Sequence, residues 1–411
     1  MSIQKQAIIN TLGNTIYLIA LWLITVITTN VLGYLEVGTL TLAMAVANVI
    51  ATVQMYGVRG FQSSDITGQF SKYDYLYARI FTVIIGWVIG VIVCIVLDYT
   101  QKVSFSVLLF IALKTSESLS DALYGNDQRA GHLECAGFSM TGRGIVLIVF
   151  FGSTVVVAKN LNVALLVSGC ALLMHSLLID LPVHNKITSK MTSKSQRGFI
   201  GIVKKCFPLF FATLMPAIIT AFPRVALEHF YGAEELGYYG NISAPALLLT
   251  TALPTALTAL LPGYGQEAEN KDYLKMKKTW RQSILVTVGV TGICLFGVVI
   301  AGKQVLTLVY SHKVIPYVHY LYYILLAMML FAITMCNNTV LVALRRNWGI
   351  LFTTSIALIV CLAISLPLVR GQGISGAIKA LAIPYAIQAF IQIIWIIQLL
   401  GNGDKYEATT P

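Results

Sequence analysis

The sequence predicts an all-α polytopic membrane protein with about 12 transmembrane helices, in two parallel six-helix halves around a central cavity. Three observations favour this fold class: an apolar composition, many segments of membrane-spanning length, and a glycine motif that recurs half a chain apart. The 411 residues are 57% hydrophobic and 11% charged, against about 45–50% and about 25% in soluble domains. This composition excludes an ordinary soluble protein.

Apolar segments follow one another along the whole chain, and most approach the length of about 20 residues that crosses a bilayer core. The first segment has Lys5 ahead of it and no small-residue cleavage site, so we expect a retained helix and not a signal peptide. We predict spans at about 7–32, 37–58, 80–98, 103–124, 144–158, 162–183, 206–231, 237–262, 282–301, 317–344, 350–369 and 374–400.

The basic residues are distributed unevenly between the two sides of these spans. We assign twenty of them, including Arg79 and Arg143, to the ends and loops of one side, and five to the other side. Because short loops rich in Lys and Arg stay cytoplasmic, we expect a multi-pass protein of the cell (cytoplasmic) membrane with both termini inside. The formal charge of +11 is then a topology signal, and no nucleic acid is expected as a partner.

The seven cysteines are scattered, mostly through apolar runs, and no Cys-x2-Cys pair is present. Such spacing is typical of packing residues and not of metal ligands. The sequence therefore predicts no metal site and no cofactor.

Two stretches, NVLGYLEVGTL and HFYGAEELGYY, share a pattern of two glycines separated by four residues that include a glutamate. The glycines are Gly33 and Gly38 in the first stretch and Gly232 and Gly237 in the second, 199 residues apart. Each pair joins the first and second helix of a six-helix set, and an even number of helices makes the two halves parallel. We predict an N-terminal half at 1–183, a basic cytoplasmic linker at 184–205, a C-terminal half at 206–400 and a cytoplasmic tail at 401–411.

Three longer stretches, VLGYLEVGTLTLAMAVANVI, MYGVRGFQSSDITGQFSKYDYLYAR and FPRVALEHFYGAEELGYYG, carry a family resemblance. The chain resembles the Wzx-type polysaccharide flippases of the multidrug/oligosaccharidyl-lipid/polysaccharide exporter superfamily. The resemblance implies that the protein flips undecaprenyl-pyrophosphate-linked oligosaccharide from the inner to the outer leaflet by alternating access, without ATP, for surface polysaccharide assembly. It also implies the lipid-linked oligosaccharide, membrane lipids, a glycan polymerase and glycosyltransferases as partners.

Arg224 is the first candidate ligand for the pyrophosphate. With Pro223 it matches the family's seventh-helix pair, whereas its repeat-equivalent in the first half is Thr25. A guanidinium fork suits phosphate oxygens, and Pro223 is expected to kink or break the helix where it lines a cavity. The alternative is that Arg224 pairs with Glu228 four residues later and extends toward the membrane surface.

The predicted fourth helix carries a second group of charges. Lys114, Glu117 and Asp121 are spaced to lie on one helical face. Lys114 would attract the pyrophosphate, and Glu117, Asp121 or Glu228 would titrate or bind a coupling cation. The alternative is a self-contained ion pair between Lys114 and Glu117. Further candidates are Asn14, Asn48 and Lys379 for substrate binding and, more weakly, His175 and Asp180.

Two other functions compete with a flippase. A multidrug/cation antiporter of the same architecture would need an acidic residue in the first helix, and the span 7–32 contains none. A membrane-embedded glycan-processing enzyme would need a sizeable outer loop, whereas the longest predicted outer connection is about 302–316. We therefore expect a transport protein and not an enzyme.

Overall fold

A computed structural model describes residues 1–65, 68–190, 198–258 and 261–401. The described residues are 92% helical and contain no strand. Short non-α turns lie at Ser176–Asp180 (π-helical), Thr188–Lys190 and His312–Tyr317 (both 3-10). The helices are α1 Ile3–Leu32, α2 Tyr34–Met55, α3 Val58–Ser64, α4 Lys72–Val96, α5 Gln101–Arg129, α6 Glu134–Ala158, α7 Leu161–His175, α8 Leu181–Ile187, α9 Gly198–Thr258, α10 Leu261–Glu269, α11 Tyr273–Tyr310, α12 Tyr320–Ala343 and α13 Asn347–Gly401.

Ten helices in the described part of the chain are long and apolar enough to cross a membrane. Two of these are each interrupted by a glycine at positive φ, Gly232 in α9 and Gly373 in α13. Each of the two therefore supplies two spans, which brings the number to twelve. The predicted all-helical, polytopic fold class is confirmed.

The glycines of the repeated motif have matching backbones. Gly33 separates α1 from α2 at φ 92° and ψ −179°, and Gly232 interrupts α9 at φ 82° and ψ 173°. An L-residue with a side chain rarely adopts this conformation, whereas glycine does so at little cost. The same residue type therefore makes the same helix break at both places.

The start of the fifth span differs from the prediction. The sequence placed it at 144, but α6 begins at Glu134. The added turns, ECAGFSMTGR, are rich in small and weakly polar residues, so hydropathy does not mark them as part of a span. Small residues instead allow close packing: a Cβ added to Gly13 of α1 would lie 2.0 Å from the carbonyl oxygen of Gly137 of α6.

Two basic residues that the sequence assigned to loops are helical and buried. Arg79 lies in α4 and Arg143 in α6, and neither is accessible to solvent. A buried guanidinium needs partners, because burying an unpaired charge is costly. These residues therefore belong to the interior and not to the loop charges from which the orientation is predicted.

The chain forms two compact units, Met1–Gly237 and Tyr238–Pro411, and the boundary falls within α9. The halves that the repeat predicts, 1–183 and 206–400, concern helix topology and stay a prediction. Residues 191–197 of the predicted linker and 402–411 of the predicted tail lie outside the described residues.

Candidate functional site: a buried polar network in the first unit

Helix α5 carries more buried polar residues than any other described helix of the first unit. Its sequence ALKTSESLSDALYGNDQR would be unsuited to contact with lipid, and Lys114 is only 7% exposed. Lys114 Nζ donates to Glu117 Oε2 at 2.8 Å, and the Tyr17 hydroxyl of α1 donates to the same oxygen at 3.0 Å. Lys114 Nζ also lies 5.8 Å from the centre of the Tyr17 ring. One carboxylate and one aromatic face thus hold the buried ammonium.

Arg143 of α6 lies beside this pair and is held by hydroxyls. Its guanidinium donates to the Oγ atoms of Ser116 at 2.6 Å, Ser176 at 2.7 Å and Ser120 at 3.2 Å. The nearest carboxylate oxygen, of Asp180, is 3.8 Å away. Serine hydroxyls can both accept from a cation and donate to an anion, so Ser120 bridges the two charges by donating to Asp180 Oδ2 at 2.7 Å.

Asp180 is the carboxylate that accepts hydrogen bonds from several hydroxyls of this network. Its carboxylate accepts hydrogen bonds from Ser139 and from the Tyr124 hydroxyl, and His175 Nδ1 lies 3.7 Å away. Asp180 ends the π-helical turn that follows α7. Such a turn shifts the following side chains around the helix axis and is frequent at functional sites. A cavity of about 320 Å³ opens beside His175, Asp180, Ser139 and Tyr124.

Asp121 belongs to a separate ion network. Oδ1 accepts from Arg59 of α3 at 2.9 Å, and Oδ2 accepts from Arg79 of α4 at 2.8 Å. Arg79 also donates to the carbonyl oxygen of Gln54 at 2.8 Å. The structure therefore brings Glu117 together with Lys114 but places Asp121 between two arginines. Removing one member of such a buried cluster costs about 3–5 kcal/mol, because it leaves a charge unpaired.

Asp65 lies in the connection between α3 and α4, outside the spans. Burial opposes its ionisation, but hydrogen bonds from the Gln69 amide at 3.0 Å, the Tyr75 hydroxyl at 2.9 Å and the Phe70 amide at 3.2 Å outweigh that effect. Arg129, 3.4 Å from Oδ2, adds its charge. Together they hold the pKa of the Asp65 carboxyl below its usual value.

Arg224 lies in α9, eight residues before Gly232, which corresponds to about 12 Å along the helix axis. It is 7% exposed, and Pro223 is buried beside it. The described backbone stays helical at Pro223 and leaves helical geometry at Gly232, so the helix does not break at the proline. A kink at Pro223 stays a prediction. The fixed φ of proline is compatible with a helix even though the ring removes one hydrogen bond, whereas only the glycine tolerates positive φ.

The remaining predicted residues have different surroundings. Asn14 is partly buried and donates to the carbonyl oxygen of Asn10 at 2.8 Å. Asn48 is exposed on α2, and Glu228 is partly buried on α9. Lys379 belongs to the second unit, is exposed, and donates to Gln372 Oε1 at 2.6 Å.

Comparison with known proteins shows what this fold is. No family model matches the chain. In sequence it is similar to the capsular polysaccharide biosynthesis protein CapF of Staphylococcus aureus, 22% identical over 192 residues that cover 46% of this chain and 48% of CapF. The matched region thus spans about half of that relative.

Among solved structures, the chain is similar to the lipid II flippase MurJ in an inward closed conformation. The TM-score is 0.72 at 12% identity, with 98% of this chain and 93% of that chain covered. It is also similar to the Vibrio cholerae MATE transporter VcmN in its bent form, with a TM-score of 0.64 at 13% identity and 98% of each chain covered. The chain has the fold of the MATE transporters and MurJ.

Sequence reasoning missed several members of the network. Arg79 and Arg143 were counted as loop residues, and Tyr17, Tyr124 and the serines of α5 were not singled out. One signal was present: Ser116, Ser118 and Ser120 alternate within a span, which is unusual for a helix in contact with lipid. The partners of these serines come from α2, α6 and the turn after α7, which a single sequence does not bring together.

Proposed function

We propose that the protein flips undecaprenyl-pyrophosphate-linked oligosaccharide from the cytoplasmic to the outer leaflet of the cell membrane by alternating access. The observation that carries this proposal is Arg224, a buried guanidinium within a membrane-spanning helix of a flippase-like fold. A cation so placed marks a candidate functional site, because lipid does not solvate it. The proposal includes no catalytic step, and both termini lie in the cytoplasm.

The similarities support this substrate class in two ways. MurJ, which shares the fold over nearly the whole chain, is a flippase of lipid II. CapF, the relative in sequence, is a protein of capsular polysaccharide biosynthesis. One name concerns lipid flipping and the other polysaccharide biosynthesis. We propose that a glycan polymerase and glycosyltransferases act alongside this protein.

The chemistry of the substrate assigns roles to the polar residues. The polyprenyl tail remains in lipid, so only the pyrophosphate and the glycan need a polar path. Arg224 offers two parallel N–H donors to phosphate oxygens. Lys114 offers a second buried cation in the first unit, while Asn14 and Asn48 offer amides to sugar hydroxyls.

Coupling or gating falls to the acidic residues in this proposal. The Glu117 carboxylate accepts hydrogen bonds from Lys114 and Tyr17. A phosphate bound at Lys114 would therefore compete with this carboxylate for the ammonium. Asp121, held by Arg59 and Arg79, would fix the positions of α3, α4 and α5. Glu228 lies one turn beyond Arg224 on α9, one turn before the helix break at Gly232.

A multidrug/cation antiporter is the second candidate, and the match to VcmN over 98% of each chain favours it. The two candidates differ in the charge of the cargo: a cationic drug needs carboxylates, and a pyrophosphate needs cations. Helix α1 contains no acidic residue, and the buried residues proposed to face the cargo are Lys114 and Arg224. This pattern favours an anionic cargo.

Reconstitution separates the candidates. Proteoliposomes would receive undecaprenyl-pyrophosphate oligosaccharide labelled on its glycan with a dithionite-sensitive dye, or the cationic dye ethidium. We expect the protein to expose nearly all the labelled lipid to external dithionite, against about half in empty liposomes, and to leave ethidium unmoved. Ethidium transport without glycolipid flipping would reject the flippase.

A further inference from the structure

A groove lies between α12 and the part of α13 that follows Gly373, within the second unit. Its volume is about 490 Å³. The lining is polar at one end, where Tyr320 and Tyr323 lie near the start of α12 and Lys379 lies six residues after Gly373. It is apolar at the other end, where Leu330 and Ala382 lie.

This polarity runs along the helix axis. From Tyr320 to Leu330 the helix rises about 15 Å, so the groove changes from aromatic hydroxyls and an ammonium to aliphatic side chains within about one leaflet of the hydrocarbon core. Tyr323 is 56% exposed and Leu326 of the same wall is 40% exposed, so the groove is open along its side. Tyrosines near the end of a membrane-spanning helix are typical of the membrane interface.

The charge of the groove comes from Lys379. Its ammonium has three N–H donors, and Gln372 Oε1 accepts one of them at 2.6 Å. The sequence contains no Asp or Glu between Asp272 and Asp404, so α11, α12 and α13 supply no carboxylate to neutralise it. The cationic end of the groove is therefore complementary to an anion, and the apolar end to a hydrocarbon chain.

We propose that this groove binds an anionic membrane phospholipid, with the phosphate at Lys379 and the Tyr320 and Tyr323 hydroxyls, and an acyl chain along Leu330 and Ala382. The sequence analysis names Lys379 as a candidate ligand of the transported lipid. In the present proposal Lys379 instead binds a membrane phospholipid that stays in the groove. The proposal does not depend on transport, because binding is measured directly.

The test is lipid retention by the purified full-length protein in native mass spectrometry, with phosphatidylglycerol and phosphatidylcholine supplied in equal amounts. Wild type is expected to retain phosphatidylglycerol preferentially. Lys379→Gln should weaken the apparent affinity for phosphatidylglycerol about five-fold, which is the contribution expected of one lysine near a lipid phosphate. The matched control is Lys313→Gln, an exposed lysine outside the lining of the groove, which should behave like wild type.

A second variant tests the apolar end. Ala382→Trp would occupy the floor of the groove and should lower retention of both lipids, with the thermal unfolding midpoint confirming that the protein is folded. Equal retention of the two lipids by wild type would overturn the proposal. An equal loss in Lys379→Gln and Lys313→Gln would also overturn it, since it would show general surface attraction.

Discussion

Gly38 and Gly237 make reciprocal contacts, each with the motif that carries the other glycine. A Cβ on Gly38 would lie 1.6 Å from the carbonyl oxygen of Ala233, and a Cβ on Gly237 would lie 2.2 Å from that of Tyr34. Ala233 and Tyr34 each follow the first glycine of the opposite motif and are themselves 199 residues apart, as are Gly38 and Gly237. The duplicated motif therefore packs against its own copy, with each second glycine allowing the close approach of the other chain segment.

We expect this reciprocal contact to break and re-form during alternating access. Gly38→Val should prevent the close approach of α2 to α9 and lower the flipping rate at least ten-fold. Val37 is buried in this contact, so a Val37→Cys reporter should react faster with an impermeant maleimide when Gly38→Val is also present. Gly169→Val is the control, because no atom lies within 4 Å of its added Cβ. Unchanged labelling and flipping in Gly38→Val would show that the contact plays no part in the cycle.

The contributions of the Lys114–Glu117 pair to stability and to transport can be measured separately. Lys114→Met alone leaves Glu117 buried without its ammonium and should destabilise the protein by about 3–5 kcal/mol. The double variant Lys114→Met/Glu117→Gln removes both charges and should recover most of that stability. We expect flipping to stay low in the double variant, because the cation is needed for the pyrophosphate. Recovery of both stability and flipping would identify the pair as a self-contained structural element.

Asp65 makes stability depend on pH in a defined direction. Its pKa is lowered in the folded protein, so its contribution is present above the unfolded-state value of about 3.9 and is lost as pH falls through the folded-state value. Asp65→Asn should lower the thermal unfolding midpoint at pH 7, and the difference from wild type should shrink as pH falls below about 4. A constant difference across this range would show that the charge of Asp65 is not what stabilises the loop.

The membrane potential is expected to drive flipping. A pyrophosphate diester carries about two negative charges, and moving them outward gains about 4–5 kcal/mol per 100 mV. Proteoliposomes with the potential set by K⁺ and valinomycin, without pH or Na⁺ gradients, should accumulate labelled lipid on the positive side. A rate unaffected by collapse of the potential, but abolished by removal of a pH or Na⁺ gradient, would assign the driving force to a coupling ion.

The sequence predicted the helical fold well because long apolar segments and loop charges are local signals. It also located the Gly33 and Gly232 breaks, since a positive φ selects glycine at one position. It failed at Glu134–Arg143, where close packing replaces hydropathy as the reason for burial. The partners of Arg143 and Asp121 come from distant helices, so spacing along one helix grouped Asp121 with Lys114 although it binds two arginines.

The central claim rests on Arg224, and glycolipid flipping by its variants tests it most directly. Arg224→Ala, Arg224→Lys and wild type would be reconstituted at equal protein density, with unfolding midpoints measured to confirm the fold, and assayed with the glycan-labelled pyrophosphate lipid. The account predicts loss of flipping in Arg224→Ala and partial recovery in Arg224→Lys, because an ammonium keeps the charge but not the fork geometry. Flipping at the wild-type rate by Arg224→Ala would contradict the account.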